Sequence, residues 1–129
     1  MRAERELMRG AGPVAVMKLL EAGPMYGYQL GEALARRSAG VLNMGQSTLY
    51  PMLYNLEAKG LIEAYWEDAP SEAGGRERKY YRLTEKGKTR LARDVAQWEG
   101  VAKAMAALGV IGGAGPAGRA AGVAGGGVA

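Results

Sequence analysis

The side chains best suited to chemistry in this chain are hydrogen-bonding groups between residues 46 and 55. Amide and hydroxyl groups of this kind can read the donors and acceptors on base edges in the major groove of DNA. Leu49, Leu53 and Leu56 recur among them at i, i+4 and i+7, which predicts a helix with one core-facing side. The polar set comprises Gln46, Ser47, Thr48, Tyr50, Tyr54 and Asn55. An amphipathic helix whose polar side is merely hydrated would show the same pattern.

A basic segment follows this helix in the sequence. Residues 76–90 contain seven basic and two acidic side chains. We predict that Arg76, Arg78 and Lys79 contact phosphates or a minor groove and add salt-dependent affinity. Arg82 alternates with Tyr81 and Leu83, which indicates a solvent-facing strand position. The alternative is that the charges only keep an exposed hairpin from pairing edge to edge.

Two further aromatic side chains, Tyr26 and Tyr28, stand at the start of a predicted helix. A tyrosine hydroxyl at a helix start can bind a DNA phosphate. Packing of both rings against the preceding helix is equally compatible with the sequence. We therefore assign both to the DNA-binding set and expect that only one of them touches DNA.

The absence of Cys and His excludes several classes of site. Disulfides, His- or Cys-based metal sites and Ser-His or Cys-His nucleophile pairs are impossible without these residues. The carboxylates are scattered, so we predict no enzyme activity, no catalytic residue, no metal and no cofactor. No apolar run approaches the roughly 20 residues of a membrane span, and the N-terminus lacks a signal-peptide pattern. These features predict a cytoplasmic chain, and the net charge of +4 is compatible with a polyanionic partner.

The elements that must position these side chains are four helices and one hairpin. The first three predicted helices cover about residues 13–22, 28–37 and 46–59, and the predicted strands cover residues 61–67 and 78–83. Residues 3–9 could also be helical, before a break at residues 10–12. A final helix begins after Thr84, a suitable N-cap. The fold class is mainly α with a small β-hairpin, in the order of a winged helix-turn-helix followed by a C-terminal helix.

The apolar positions of the final helix step by 4, 3, 4 and 3, as in a coiled-coil seam of two heptads. This seam consists of Leu91, Val95, Trp98, Ala102 and Met105. It is too short to be stable alone, so it must pair with a second copy or with the chain's own first helix. The sequence predicts a winged helix-turn-helix at residues 1–83, a candidate dimerisation helix at 84–108 and a flexible Gly/Ala tail at 109–129.

Taken together, these motifs resemble the PadR family of transcriptional regulators, in its compact form with one C-terminal helix. The segments that carry the resemblance are 23–30 (GPMYGYQL), 47–57 (STLYPMLYNLE), 59–62 (KGLI) and 74–84 (GGRERKYYRLT). Ser47 departs from the glycine common in the family, and the tail matches nothing in the family pattern. The resemblance implies a homodimer with one winged helix-turn-helix per subunit, repression of nearby genes and, in many members, release by a small-molecule effector.

The motifs predict a DNA-binding protein, and the resemblance implies that it is a sequence-specific repressor. It would act as a homodimer on a near-palindromic operator in double-stranded DNA, with a small molecule as a further candidate partner. The alternative from another class is a winged helix that binds proteins or ligands without touching DNA.

Overall fold

The computed structural model describes residues 1–68 and 77–112. Its elements are α1 (Arg5–Glu21), β1 (Met25–Tyr26), α2 (Gly27–Arg37), α3 (Gln46–Ala58), β2 (Ile62–Asp68), β3 (Glu77–Leu83) and α4 (Glu85–Ala107). The three strands form one antiparallel sheet in the order β1-β3-β2. The predicted fold class is confirmed, and β1 adds a third strand to the predicted hairpin.

Helix α1 is longer than the sequence indicated, because it begins at Arg5 and runs through Pro13 without a break. The expected start at Pro13 and the expected break at residues 10–12 are wrong. Met8, Gly12 and Val16 lie four residues apart and are all buried. The side chain of Met52 covers Gly12 so closely that a β-carbon there would lie 2.8 Å from its sulfur. This packing offsets the hydrogen bond that Pro13 cannot donate.

Helices α2 and α3 form the predicted helix-turn-helix. Leu30, Ala33 and Leu34 bury the expected side of α2. The turn begins at Ser38, whose hydroxyl donates to the carbonyl of Leu34 at 2.6 Å and accepts from the amide of Leu42 at 2.8 Å. Gly40 then takes the left-handed conformation with φ of 86°, which suits glycine at a helix C-terminus.

Helix α3 has the predicted apolar side, since Leu49, Leu53 and Leu56 are each at most 4% exposed. Two residues after the end of α3, Gly60 has a φ of 75°, which lets the chain reverse into β2. The last turn of the helix is closed by the amide of Leu61, which donates to the carbonyl of Leu56 at 3.0 Å. The leucine side thus fixes α3 to the core and leaves the opposite side free.

Strand β3 is central in the sheet. Tyr81 pairs with Ala64 of β2 on one side and with Met25 of β1 on the other. The two-residue β1 is too short to show strand alternation, which explains why it could not be predicted from the sequence. Its consequence is that Tyr26 lies in the sheet rather than in the first turn of α2.

Helix α4 starts as predicted, with Thr84 as its N-cap. The hydroxyl of Thr84 accepts from the amide of Gly87 at 2.9 Å and donates to the carbonyl of Gly60 at 2.7 Å. These bonds join the start of α4 to the end of α3.

The chain divides into two compact units, the first covering Met1–Ala92 and the second beginning at Arg93. The first unit holds the winged helix-turn-helix and the opening turns of α4. The predicted tail lies outside the described residues from residue 113 onward. No helix in the described part of the chain combines the length and the hydropathy needed to cross a membrane.

Candidate nucleic-acid interface

The polar side of α3 is exposed along its whole length. All six predicted residues, Gln46, Ser47, Thr48, Tyr50, Tyr54 and Asn55, are solvent-exposed, and Tyr54 is the most open at 71%. Gly45 at the N-cap has no side chain that could bind the first amides of the helix, so these amides can donate to an anion. The structure therefore brings the predicted set together on one surface, opposite the three buried leucines.

Tyr50 packs closely against the start of α2. Its hydroxyl contacts the α-carbon of Gly27 so closely that a β-carbon at residue 27 would lie 2.8 Å from the Tyr50 Cζ atom. Gly27 therefore allows the first turns of α2 and α3 to approach each other. An open groove of about 300 Å³ lies between them, and Tyr28, Gln46 and Tyr50 are among the residues that line it.

The two tyrosines at the start of α2 have different environments. Tyr28 is 65% exposed, so its hydroxyl is free to meet a phosphate. Tyr26 is half-buried in β1, and its backbone amide donates to the Gln29 side-chain oxygen at 3.1 Å. Of the two, Tyr28 has the accessibility that a DNA contact needs.

The predicted cations of the hairpin are separated by the sheet. Arg76 lies outside the described residues. Arg78 and Lys79 are consecutive in β3 and therefore point to opposite faces. Lys79 lies on the face of Tyr81, with its Nζ atom 5.6 Å from the ring centroid. Arg78 lies on the outer face, which it shares with Tyr80 and Arg82.

The outer face of the sheet carries a row of three tyrosines, one from each strand. Tyr80 is directly across from Tyr26 on one side and from Tyr65 on the other. The Tyr26 and Tyr80 rings meet edge to face at 5.6 Å, and the Tyr65 and Tyr80 rings stack at 5.7 Å. This row could not be predicted from the sequence, because it depends on the register of all three strands.

One arginine lies over each end of the tyrosine row. The guanidinium carbon of Arg78 is 4.3 Å from the Tyr26 ring centroid, and that of Arg82 is 4.8 Å from the Tyr65 ring centroid. Arg82 also forms a 2.7 Å ion pair with Glu63, which confirms its predicted solvent-facing position. Within residues 1–68 and 77–112, Arg78 forms no such ion pair, although Glu67 is its direct cross-strand neighbour.

The predicted dimer seam is divided between the two units. Leu91 is buried inside the first unit, where it serves the core of the single chain. Val95 is half-buried, and Trp98, Ala102 and Met105 are exposed. Val101, Leu108, Val110 and Ile111 are also exposed. In the part of the chain that the structure describes, no three Asp or Glu side chains are grouped so as to hold a metal ion.

Comparison with known proteins places the chain in a family. The model of the transcriptional regulator PadR-like family matches residues 16–93, which include the helix-turn-helix, the hairpin and the start of α4. A protein of Lysinibacillus sphaericus, itself uncharacterised, is 32% identical over 93 residues, which cover 72% of this chain and 83% of that protein.

Solved structures agree with this assignment. A PadR family transcriptional regulator from Eggerthella lenta is 34% identical with a TM-score of 0.68, covering 80% of this chain and 85% of that one. A PadR family transcription regulator from hypervirulent Clostridium difficile is 29% identical with a TM-score of 0.62, covering 72% and 92% of the two chains. Proteins of this family are transcriptional regulators that bind DNA, and they are regulators rather than enzymes. The chain is a member of the PadR-like family of transcriptional regulators.

Proposed function

We propose that this chain is a homodimeric repressor that binds a near-palindromic operator. The observation that carries the proposal is the two-sided α3, which is anchored by Leu49, Leu53 and Leu56 and presents amide and hydroxyl groups on its exposed side. A helix of this kind fits the major groove, where such groups pair with base edges. Each subunit of a dimer would place its α3 in one of two successive major grooves, about 10 base pairs apart.

The contacts to the DNA backbone are proposed to come from two other places. The exposed Tyr28 at the start of α2 would bind a phosphate through its hydroxyl. Arg78, which has no carboxylate partner among the described residues, would donate to a phosphate or enter the minor groove. Lys79, on the opposite face of β3, and Arg76 are proposed as separate backbone contacts. Phosphate contacts fix the register of the protein on the duplex, and base contacts supply the specificity.

Homodimerisation is proposed to occur through α4. Trp98, Val101 and Met105 expose large apolar side chains along this helix, and Leu108 does so just beyond its end. Contiguous exposed apolar surface is typical of a protein interface. A dimer would cover this surface and set the spacing between the two α3 helices. A transcriptional regulator must reach chromosomal DNA, so we propose that it acts in the cytoplasm.

Release by a small-molecule effector is the remaining part of the proposal. The groove between α2 and α3 has the volume of a small-ligand site, and a ligand there would cover Tyr28, Gln46 and Tyr50. Gly31 lines the groove, and a β-carbon there would meet only Leu49 at an ordinary 3.5 Å. Compounds that displace labelled DNA from the wild type should therefore fail on Gly31→Met, which fills the groove. Equal displacement from both proteins would contradict this site.

The central experiment is fluorescence anisotropy with DNA from upstream of the protein's own gene and with a scrambled duplex, each across a salt series. Preference for the upstream DNA, a steep salt dependence and a stoichiometry of two chains per site would support a sequence-specific repressor. A reporter gene behind the same DNA would then be repressed by the protein. No binding even at low salt would instead favour a winged helix that binds proteins or ligands.

A further inference from the structure

We propose that Tyr26 does not contact DNA but is a positioning residue, whose ring holds the guanidinium of Arg78 ready for a phosphate. The inference rests on the proposed DNA-binding function and assigns a separate role within it. The sequence left open which of Tyr26 and Tyr28 touches DNA. In this proposal Tyr28 contacts DNA and Tyr26 supports Arg78.

The register of the sheet creates the contact between these two residues. Tyr26 is directly across from Tyr80, and Arg78 precedes Tyr80 by two residues, so Arg78 and Tyr26 are diagonal neighbours on one face. The 4.3 Å between the guanidinium carbon and the ring centroid is well within the roughly 6 Å over which a cation and an aromatic ring attract each other.

One contact holds the ring of Tyr26 and another holds its backbone. Tyr80 packs against it edge to face at 5.6 Å, and the backbone of Tyr26 is tied to the first turn of α2 through the Gln29 side chain at 3.1 Å. A free arginine side chain loses rotamer entropy when it is immobilised. A guanidinium already resting on a fixed ring has lost part of that freedom before DNA arrives.

Arg78 and Arg82 differ in whether a carboxylate compensates their charge. Both lie on the outer face of the sheet, two residues on either side of Tyr80, and both stack on a tyrosine. The charge of Arg82 is compensated by Glu63 at 2.7 Å. Arg78 stacks without such compensation among the described residues. Because stacking uses only the face of the guanidinium, its N–H donors remain available at the edge for a phosphate.

The test is a double-mutant cycle on DNA binding, with the salt series described above. Tyr26→Leu should weaken binding to the upstream and scrambled duplexes alike, by about two- to fivefold, the size of an exposed cation–aromatic contact. Tyr26→Phe, which keeps the ring, should bind like the wild type. In an Arg78→Ala background, Tyr26→Leu should cause no further loss. Tyr65→Leu removes the ring under Arg82 and is the matched control, expected to leave binding unchanged.

Three results would overturn the inference. An equal loss for Tyr26→Leu with and without Arg78 would show that the two residues act independently. A loss for Tyr26→Phe as large as for Tyr26→Leu would show a direct contact through the hydroxyl. Unchanged binding by Arg78→Ala would remove the contact that Tyr26 is proposed to support. Failure of the wild type to bind any DNA would instead defeat the proposed function.

Folding is monitored by thermal melting of each variant. Should Tyr26→Leu fail to fold, Tyr26→Met, a second apolar substitution without a ring, takes its place in the same cycle and carries the same expectations.

Discussion

The α-carbon of Gly87 lies directly against the backbone carbonyl of Leu61, and no β-carbon fits between them. A methyl group at this position would overlap the Leu61 oxygen and lie 2.7 Å from the Cδ1 atom of Leu83. Because a backbone carbonyl cannot turn aside as a flexible side chain can, the start of α4 must retreat from the β2 end of the sheet to accommodate any larger residue.

Gly87→Ala should therefore lower the free energy of unfolding by about 1–3 kcal/mol, the usual cost of overpacking. Urea unfolding followed by circular dichroism measures this change. Gly100→Ala is the matched control in the same helix, since nothing lies within 4 Å of its β-carbon position. That substitution should stabilise the chain by about 0.5–1 kcal/mol, because alanine favours the helix. Equal effects of the two substitutions would contradict the close packing at Gly87.

Gln46→Ala should reduce discrimination between operator and scrambled DNA by about 1–3 kcal/mol, the value of one good base contact. Gln46 is exposed in the first turn of α3, the part of a recognition helix that meets base edges. Anisotropy titrations with both duplexes measure the ratio of the two dissociation constants. Gln97→Ala, an exposed glutamine of α4, should leave that ratio unchanged. Equal weakening on both duplexes by Gln46→Ala would show a backbone contact instead.

Arg78→Ala should weaken binding to all DNA sequences by a similar factor and lower the slope of log K against log salt by about one. The reason is that a residue contacting phosphate releases one counterion but reads no base. Arg82→Ala is the matched control on the same face, where Glu63 already compensates the charge. A loss of operator preference with an unchanged salt slope would place Arg78 on a base edge.

Trp98→Ala should weaken the free energy of dimerisation by about 2 kcal/mol or more, as expected for an aromatic anchor at the centre of an interface. The dissociation constant of the dimer should rise accordingly. Trp98 is 45% exposed on the single chain and lies in the middle of the predicted seam. Sedimentation equilibrium over a range of concentrations measures the change, and Gln97→Ala, one residue away and off the seam, is the control. A wild type that stays monomeric at high concentration would refute the α4 dimer.

Alkaline pH should destabilise the fold through Tyr81. Burial raises the pKa of Tyr81 above its ordinary value of 10.0, and the nearby Tyr50 and Glu57 raise it further. The folded state thus keeps a proton that the unfolded chain releases, so stability is unaffected by this group below about pH 10 and falls as the pH rises beyond it.

Urea unfolding between pH 8 and pH 11 tests this expectation. Tyr81→Phe should lose stability less steeply above pH 10 than the wild type does, whereas Tyr54→Phe, at an exposed position, should follow the wild type. Parallel curves for all three proteins would rule out Tyr81 as the titrating group.

The sequence by itself determined the elements whose signals are local. The spacing of Leu49, Leu53 and Leu56 fixed which side of α3 is buried, and Thr84 marked the start of α4 through its N-cap bond to Gly87. Both follow from side chains a few residues apart along the chain, where helix geometry leaves little choice. The polar surface of α3 could be predicted for the same reason, since it is the side of the helix that the leucines do not occupy.

Only the tertiary structure decided the features that depend on distant residues. Met8 and Gly12 are buried against the rest of the core, and this packing stabilises α1 on both sides of Pro13. The local sequence alone favours a break there. The register of β1, β2 and β3 brings Tyr26 under Arg78 and leaves Glu63 to Arg82. Shifting that register by one residue would move each of these side chains to the other face, so no local pattern could have predicted which of the two arginines pairs with Glu63.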